Sequence, residues 1–155
     1  MTENLTENFK SFDRISDVDS EGGLRVEGKN QHNTSPLITV ITATFNSEKY
    51  LEESILSLHN QKFLNYEHII IDGGSTDKTI DIIKKYEQNI TYWCSSNDKG
   101  IYDAFNKGMQ LAKGEYIGFL NSDDKYSDDA LEILNKYIKK YPKKDFIFGA
   151  VQKHW

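Results

Sequence analysis

The sequence predicts an α/β fold in three layers, with a mainly parallel sheet lying between helices. Short apolar runs rich in β-branched residues alternate with segments whose apolar residues recur at helical spacing. Each apolar run ends in a polar or glycine-containing loop, and strand–helix–strand units of this kind connect neighbouring parallel strands. The chain has 155 residues, 37% of them hydrophobic, which is enough for one domain with a hydrophobic core.

Residues 1–35 differ in composition from the rest of the chain. Acidic residues outnumber basic ones there, and the sparse apolar residues show no sustained period. Such a segment offers little apolar surface to offset its chain entropy. We therefore expect a flexible N-terminal extension that adds little stability, followed by a domain over residues 36–155. Both arginines, Arg14 and Arg25, lie in the extension; Arg25 could reach a phosphate, but a solvated tail is the favoured interpretation.

The first strand is predicted directly after Pro36, over residues 37–42, where the run is continuous and β-branched as in a buried parallel strand. Asn46 or Ser47 can cap the helix that follows. The apolar residues of this helix fall on one face, namely Leu51, Ile55 and Leu58. A second strand covers residues 68–71 and leads into a loop with two glycines.

The second half of the chain continues the alternation of helices and strands. The next helix carries Ile80, Ile83 and Tyr86 on its inner side, and the third strand covers residues 90–94. A helix over residues 102–112 closes at a Lys-Gly signal, and a buried strand follows over residues 116–120. The last helix opens at residues 127–129, buries Leu131, Leu134 and Ile138, and stops at Pro142; a final strand begins at residues 146–148.

Charge and cysteine content narrow the function classes. The formal net charge of −5 gives a nucleic-acid partner no electrostatic support. Cys94 is the only cysteine, so no intrachain disulfide can form, and a reducing compartment fits. No apolar run approaches the roughly 20 residues that cross a bilayer, and no signal-peptide pattern is present. We expect a cytoplasmic protein. Lysines at positions 136, 139, 140, 143 and 144 form a solvated helix face or, alternatively, a weak contact with anionic lipid at the inner membrane face.

Polar loops follow three of the predicted strands, at residues 43–46, 72–77 and 121–124. The carboxyl ends of parallel strands meet at one edge of the sheet, where ligands of open α/β folds bind. Glycines in the second loop let backbone approach a ligand, and Asp72 can accept hydrogen bonds from a base or ribose. Adjacent carboxylates in the third loop, Asp123 and Asp124, suit Mg²⁺ or Mn²⁺. Alone this acidic pair would indicate an exposed turn; together the loops favour a sugar-nucleotide site.

Four motifs in order resemble those of family-two glycosyltransferases with the GT-A fold, most closely the bacterial enzymes that build surface polysaccharides. They are ITATFN at residues 41–46, IDGGSTD at 71–77, DKGIYDAFNKG at 98–108 and GFLNSDD at 118–124. The resemblance covers about residues 36–151. It implies a nucleotide-diphosphate-sugar binding sandwich that is incomplete at its C-terminus.

The resemblance also implies roles for individual residues. The nucleoside pocket would be lined by Ala43, Phe45 and Asp72. The segment beside the ribose and donor sugar would contain Asp98, Gly100, Asp103, Asn106 and Lys107. Ser122, Asp123 and Asp124 would stand for the family's metal-binding motif, with Asp124 the direct ligand and Asp123 nearer the ribose or sugar. A divalent cation, a nucleotide-diphosphate sugar and a glycan or lipid-linked acceptor are thereby expected.

The implied reaction is transfer with inversion: a carboxylate takes the proton of the acceptor hydroxyl while the metal neutralises the departing nucleoside diphosphate. The sequence departs from the family in two places. Many relatives carry two acidic residues where this chain has Asp72-Gly73, and the catalytic base of the family follows the strand that ends here near Val151, so it is expected beyond residue 155.

Two other functions compete with the glycosyltransferase hypothesis. One is a non-catalytic nucleotide-binding fragment that lacks the base. The other is a different nucleotide enzyme, such as a nucleotidyltransferase or a dehydrogenase. The absence of both GxGxxG after the first strand and GxxxxGK[ST] argues against dinucleotide and P-loop binding.

Overall fold

A five-stranded sheet runs through the protein in the computed structural model, which describes residues 14–29, 35–142, 146, 147 and 149. The strands are β1 (Ser20–Gly22), β2 (Ile38–Thr44), β3 (Tyr66–Asp72), β4 (Tyr92–Ser95) and β5 (Tyr116–Phe119). They lie in the order β1-β4-β3-β2-β5, and β2 to β5 are mutually parallel. Only β1 runs antiparallel, against β4. The predicted mainly parallel sheet is confirmed.

The central strands β2 and β3 are buried along their whole length. Both faces of a parallel sheet are covered by helices, which explains why these strands read as nearly continuous runs of Ile, Val and Thr. Each strand is longer than predicted, because polar residues at its ends still pair in the sheet. In register, Thr44 lies opposite Asp72, and Asp72 lies opposite Ser95 on β4.

Helices cover the sheet in the predicted three layers. The helices are α1 (Leu51–His59), α2 (Thr79–Lys85), α3 (Ile101–Leu111) and α4 (Ala130–Lys140). One face of the sheet packs against α1, α2 and α4, through residues that include Leu58, Ile83 and Leu131. The other face packs against α3, through Ala104 and Leu111. The inner residues predicted for α1, α2 and α4 are buried or partly buried, as expected.

Gly108 brings α3 unusually close to β2. A Cβ atom at this position would lie 2.4 Å from Cγ2 of Ile41, well inside van der Waals contact. Ile41 is fully buried and cannot swing away. A helix glycine normally weakens a helix, and here the close approach of helix and sheet explains its presence.

The predicted cap of α1 is wrong. The helix begins at Leu51, and the residue before it, Tyr50, makes no side-chain capping bond. Asn46 instead adopts a left-handed conformation with φ 48°. Its side chain accepts a hydrogen bond from the Thr76 amide of the neighbouring loop, at 2.9 Å. Asn46 therefore joins two loops rather than starting a helix.

The expectation of a loosely packed N-terminal extension is wrong for residues 14–29. Within this range β1 extends the sheet by pairing with β4, and the side chains of Ile15 and Val18 pack against the core on the α3 side. Arg25 is buried, with its guanidinium 2.6 Å from the Glu67 carboxylate and 2.8 Å from the Leu111 carbonyl oxygen. A polar segment is held here by backbone pairing and a buried ion pair, which composition does not reveal. Residues 1–13 and 30–34 lie outside the described residues.

Strand β5 is less buried than predicted. Ile117 and Phe119 remain 43% and 46% exposed. The reason is that β5 lies at an edge of the sheet, whereas α3 lies over β2 and β3. A final strand was predicted to begin at 146–148. Phe146 and Ile147 are described and are not in a strand, and Phe148 lies outside the described residues. Among the described helices, none is both long and apolar enough to cross a membrane.

Candidate functional site

The strand order creates a crevice at the carboxyl edge of the sheet, between the loops after β3 and β4. The chain adds β3 and β4 on one side of β2 and then returns through α3 to place β5 on the other side. The helices that follow β2, β3 and β5 lie on one face of the sheet, and α3, which follows β4, lies on the opposite face. The loops after β3 and β4 therefore diverge at the carboxyl ends of these strands, which is where open α/β sheets bind ligands.

The loops after β2 and β3 are joined by reciprocal hydrogen bonds. The Asn46 amide donates to Ser75 Oγ at 2.8 Å, while the Asn46 side chain accepts from the Thr76 amide. The Ser47 amide donates to Thr79 Oγ1 at 2.8 Å. Side chains of one loop thus satisfy backbone groups of the other, so the two loops form one rigid unit.

A second junction joins the loop after β2 to the acidic loop after β5. The hydroxyl oxygens of Ser47 and Ser122 lie 2.8 Å apart, and Ser54 Oγ of α1 donates to the Asn121 carbonyl at 3.1 Å. Beyond this junction Asp123 and Asp124 are both exposed. Their carboxylates are therefore open to solvent in the loop after β5.

Asp72 lies at the predicted edge, but its side chain does not face a pocket. The carboxylate is fully buried and accepts four hydrogen bonds. Three come from its own loop, from the amides of Gly74 and Ser75 and from Ser75 Oγ; the fourth comes from Ser95 Oγ at 2.6 Å. A carboxylate engaged in this way holds the loop in shape, and a ligand has no access to it.

The loop after β4 carries a second carboxylate beside Gly73. A Cβ atom at position 73 would lie 3.0 Å from Asp98 Oδ2 and 3.1 Å from Oδ1. Asp98 is partly exposed, and its Oδ1 accepts the Gly100 amide at 2.8 Å. Gly100 has φ 102°, which favours glycine. Asp98 thus borders the same edge as Asp72, with its side chain accessible.

The remaining predicted residues on α3 form a charged pair and an exposed amide. Lys107 Nζ lies 3.3 Å from Asp103 Oδ2 and 3.5 Å from Ser96 Oγ. The hydrogen bond from the Lys99 amide, followed by that from Lys107, lowers the pKa of Asp103. Asn106 is exposed and has no recorded contact with this pair. Lys107 therefore places a positive charge one helical turn from Asp103 and close to the loop after β4.

The two residues predicted for the nucleoside pocket at the end of β2 differ in their exposure to solvent. Ala43 is buried within the strand, whereas Phe45 presents a ring that is 60% exposed at the carboxyl edge. Such exposure is unusual for phenylalanine beside a well-packed strand. The carboxyl edge of the sheet thus offers an exposed aromatic ring directly after β2.

The acidic loop fits partial ligation of a hard cation. Within the described part of the chain, no group of three His, Cys, Asp or Glu residues could hold a metal. Mg²⁺ is commonly held by one or two carboxylates together with substrate phosphates and water. Asp124 Oδ2 accepts from Asn121 Nδ2 at 2.9 Å, and the buried Asn121 Oδ1 has no partner among the described residues. Oxygen ligands from Asp123, Asp124 and Asn121 are therefore compatible with a shared cation.

Sequence reasoning missed the residues that join the loops: Asn46 as a bridge, Ser47, Ser75 and Ser95. Each is a small polar residue at or just after the end of a strand. That position was the available signal, because polar residues there meet the neighbouring loops at the sheet edge.

The parallel sheet and its helix layers place the protein in the α/β class, with solved structures of the GT-A type as its neighbours. The family described as glycosyl transferase family 2 matches residues 39–154. The chain belongs to this family, which excludes the nucleotidyltransferase and dehydrogenase hypotheses.

Relatives and solved structures agree with this assignment. An uncharacterized glycosyltransferase of Haemophilus influenzae is 42% identical over 100 residues, which are 63% of this chain and 40% of that protein. The putative teichuronic acid biosynthesis glycosyltransferase TuaG of Bacillus subtilis is 39% identical over 64% of this chain and 41% of that protein. The crystal structure of S. aureus TarS 1-349 in complex with UDP-GlcNAc matches with TM-score 0.63 and 32% identity, over 68% of this chain and 32% of that one. The chain spans about two fifths of the length of the two curated relatives.

Proposed function

We propose that this chain is the donor-binding part of a glycosyltransferase acting in polysaccharide biosynthesis. It would bind a nucleoside-diphosphate sugar and present the sugar to a glycan or lipid-linked acceptor, with inversion at the anomeric carbon. The observation that carries the proposal is the joined set of loops at the crevice. Hydrogen bonds connect the loops after β2, β3 and β5, and an exposed acidic pair lies beside them.

The relatives support this class of donor and product. One relative is named for teichuronic acid biosynthesis, and the matched TarS structure holds UDP-GlcNAc. Both names describe bacterial sugar transfer or its nucleotide-sugar donor. We assign the same class of donor to this chain because its family and fold are the same.

Different residues would contact different parts of the donor molecule. The exposed Phe45 ring offers a stacking surface to the base, and Lys107 offers a cation near the loop after β4. Asp124, with Asp123 and Asn121 beside it, would hold Mg²⁺ or Mn²⁺ on the diphosphate. Such an ion supplies charge neutralisation for the departing nucleoside diphosphate. Gly100, Asp103, Asn106 and Ser122 would border the ribose and donor sugar.

The acceptor and the membrane contact are further parts of the proposal. Helix α4 exposes Ile133 and Tyr137 one turn apart, and Tyr141, the residue directly after the helix, is exposed at the same spacing. Lys136, Lys139 and Lys140 lie beside these residues and are exposed. Tyrosine rings with flanking lysines suit the interface of an anionic bilayer, where a lipid-linked acceptor would reside. We propose peripheral contact with the inner membrane face of the cell through this surface.

Nucleotide binding with and without metal tests the function. Calorimetry with UDP and GDP should show much tighter binding in Mn²⁺ or Mg²⁺ than in chelator. In the presence of metal, Asp124→Asn should weaken nucleotide binding by about 10- to 100-fold, the loss typical when groups around a bound metal are changed. In the presence of chelator, the substitution should change nucleotide binding little. Asp128→Asn is a matched control, because it removes an exposed carboxylate from the same loop.

Two results would contradict the proposal. Equal nucleotide affinity in metal and chelator would remove the metal role. Failure of the wild-type chain to bind UDP or GDP under either condition would remove the donor-binding function itself.

A further inference from the structure

Two carboxylates lie near the edge where a nucleobase would be bound, and they differ in what they can reach. Asp72 is fully buried, and its oxygens accept four hydrogen bonds from the protein. Asp98 is partly exposed, and only its Oδ1 accepts a hydrogen bond, from the Gly100 amide. Within the described residues, Asp98 Oδ2 accepts none. Only Asp98 therefore retains an oxygen with which to meet a ligand.

Gly73 is the reason that Asp98 can occupy its position. A side chain at residue 73 would begin 3.0 to 3.1 Å from both Asp98 carboxylate oxygens, which is closer than most Cβ contacts. The backbone of Gly73 does not itself require glycine, since positive φ values in this loop belong to Gly74, at 84°. Space, not conformation, disfavours a side chain at residue 73 while the Asp98 carboxylate keeps this position. The space is taken by a carboxylate delivered from the loop after β4.

We propose that Asp98, not Asp72, is the carboxylate that contacts the nucleobase of the donor, and that Asp72 is a positioning residue. This inference rests on the proposed donor-binding function. A carboxylate is an acceptor only, so it pairs with a base that presents a ring N–H. Uracil presents one at N3 and guanine at N1, whereas cytosine and adenine have an unprotonated ring nitrogen at the corresponding place. Asp98 thereby selects UDP- or GDP-sugars against CDP- or ADP-sugars.

The ratio of dissociation constants for UDP and CDP, and for GDP and ADP, measures this selection. The wild-type chain should prefer UDP or GDP, and Asp98→Asn should reduce that preference by about 10- to 100-fold, the loss typical of a hydrogen bond to a charged group. The melting temperature should not change. Asp72→Asn should lower the melting temperature and keep the preference, because its bonds hold the loop. Asp128→Asn again serves as the control.

A transfer of the carboxylate gives a second, independent test. In the double variant Gly73→Asp with Asp98→Ala, the loop after β3 carries the carboxylate in place of the loop after β4. The removal of the Asp98 carboxylate leaves space for the new side chain at residue 73. The preference lost in Asp98→Ala should be restored in the double variant.

The inference is overturned if Asp98→Asn leaves the preference intact, or if Asp72→Asn abolishes it without a change in melting temperature. A wild-type chain that binds UDP and GDP no better than CDP and ADP also overturns it. These results differ from the absence of all nucleotide binding, which removes the proposed function as well.

Discussion

Two histidines form the most strongly perturbed titratable pair in the described residues. His59 Nε2 lies 3.2 Å from His68 Nδ1, and His68 Nε2 lies 3.0 Å from Thr42 Oγ1. Burial lowers the pKa of His59 to about 4. Burial, and then the charge of His59, lowers the pKa of His68 well below its ordinary value. Both imidazoles are therefore neutral at physiological pH and share one hydrogen bond between them.

This pair predicts that the protein loses stability as the pH falls from about 6.5 towards 4. In that range the unfolded chain binds protons at both histidines and the folded chain does not, so the free energy of unfolding rises with pH. The loss from His59 alone should be about 2 kcal/mol at pH 5. Urea unfolding at pH 7, 6 and 5 measures it, with His59→Gln as the comparison. An equally steep pH dependence in that variant would contradict the assignment.

Residue roles were only partly predictable from the sequence. The sequence indicates that Asp72 and Asp98 follow strands, and the structure brings both to the same edge. It does not indicate that Asp72 is enclosed, because the enclosing groups are backbone amides and Ser95 from another strand. Hydrogen-bond partners that come from distant parts of the chain leave no local pattern.

At the scale of elements, the helices and parallel strands were predictable and the segment 14–29 was not. Buried parallel strands are long apolar runs, so β2 and β3 are visible in the sequence. In contrast, β1 has the sequence Ser-Glu-Gly, with no apolar residue, and a single further glycine, Gly23, follows it. Its place in the sheet depends on backbone pairing with β4 and on the Arg25–Glu67 ion pair.

Arg25→Ala should destabilise the protein by about 3 to 5 kcal/mol, the cost of leaving a buried partner charge unpaired. The side chains of Arg25 and Glu67 are only 8% and 5% exposed, so water cannot replace the lost partner. Urea unfolding at neutral pH measures the loss.

Arg14 supplies the matched control for this substitution. It pairs with Glu21 in the same segment, but its side chain is 54% exposed. Arg14→Ala should therefore cost less than about 1 kcal/mol. If Arg25→Ala cost no more than Arg14→Ala, the ion pair would not hold the segment.

For the whole molecule, the proposed membrane surface on α4 predicts binding to anionic vesicles. The chain should sediment with vesicles that contain phosphatidylglycerol and not with pure phosphatidylcholine. Lys139→Glu with Lys140→Glu should weaken this binding at least about tenfold, because each lysine near an anionic surface contributes about 1 kcal/mol. Lys49→Glu with Lys84→Glu makes the same change in net charge on other elements. Equal loss in both double variants would indicate a net-charge effect and no specific surface.

The sequence predicts where the site lies in the molecule, but it does not predict which contacts hold the loops of the site together. Parallel strands guarantee that loops 43–46, 72–77 and 121–124 meet at one edge. The crevice itself follows from the placement of α3 on the face of the sheet opposite to α2, which a resemblance can imply but spacing cannot. Junctions such as Ser47 with Ser122 join residues 75 positions apart in sequence and have no local signature.

The position of Arg25 in the sequence also bears on when the contacts of the segment 14–29 can form during synthesis. Its partners, Glu67 and the Leu111 carbonyl, are 42 and 86 positions later in the chain. Closing loops of this length costs chain entropy before the contacts form. During synthesis the segment 14–29 leaves the ribosome early, but its bonds to Glu67 and to the Leu111 carbonyl can form only after each of these residues has emerged. The part of the described chain that is made first therefore completes its native contacts only after α3 has been made.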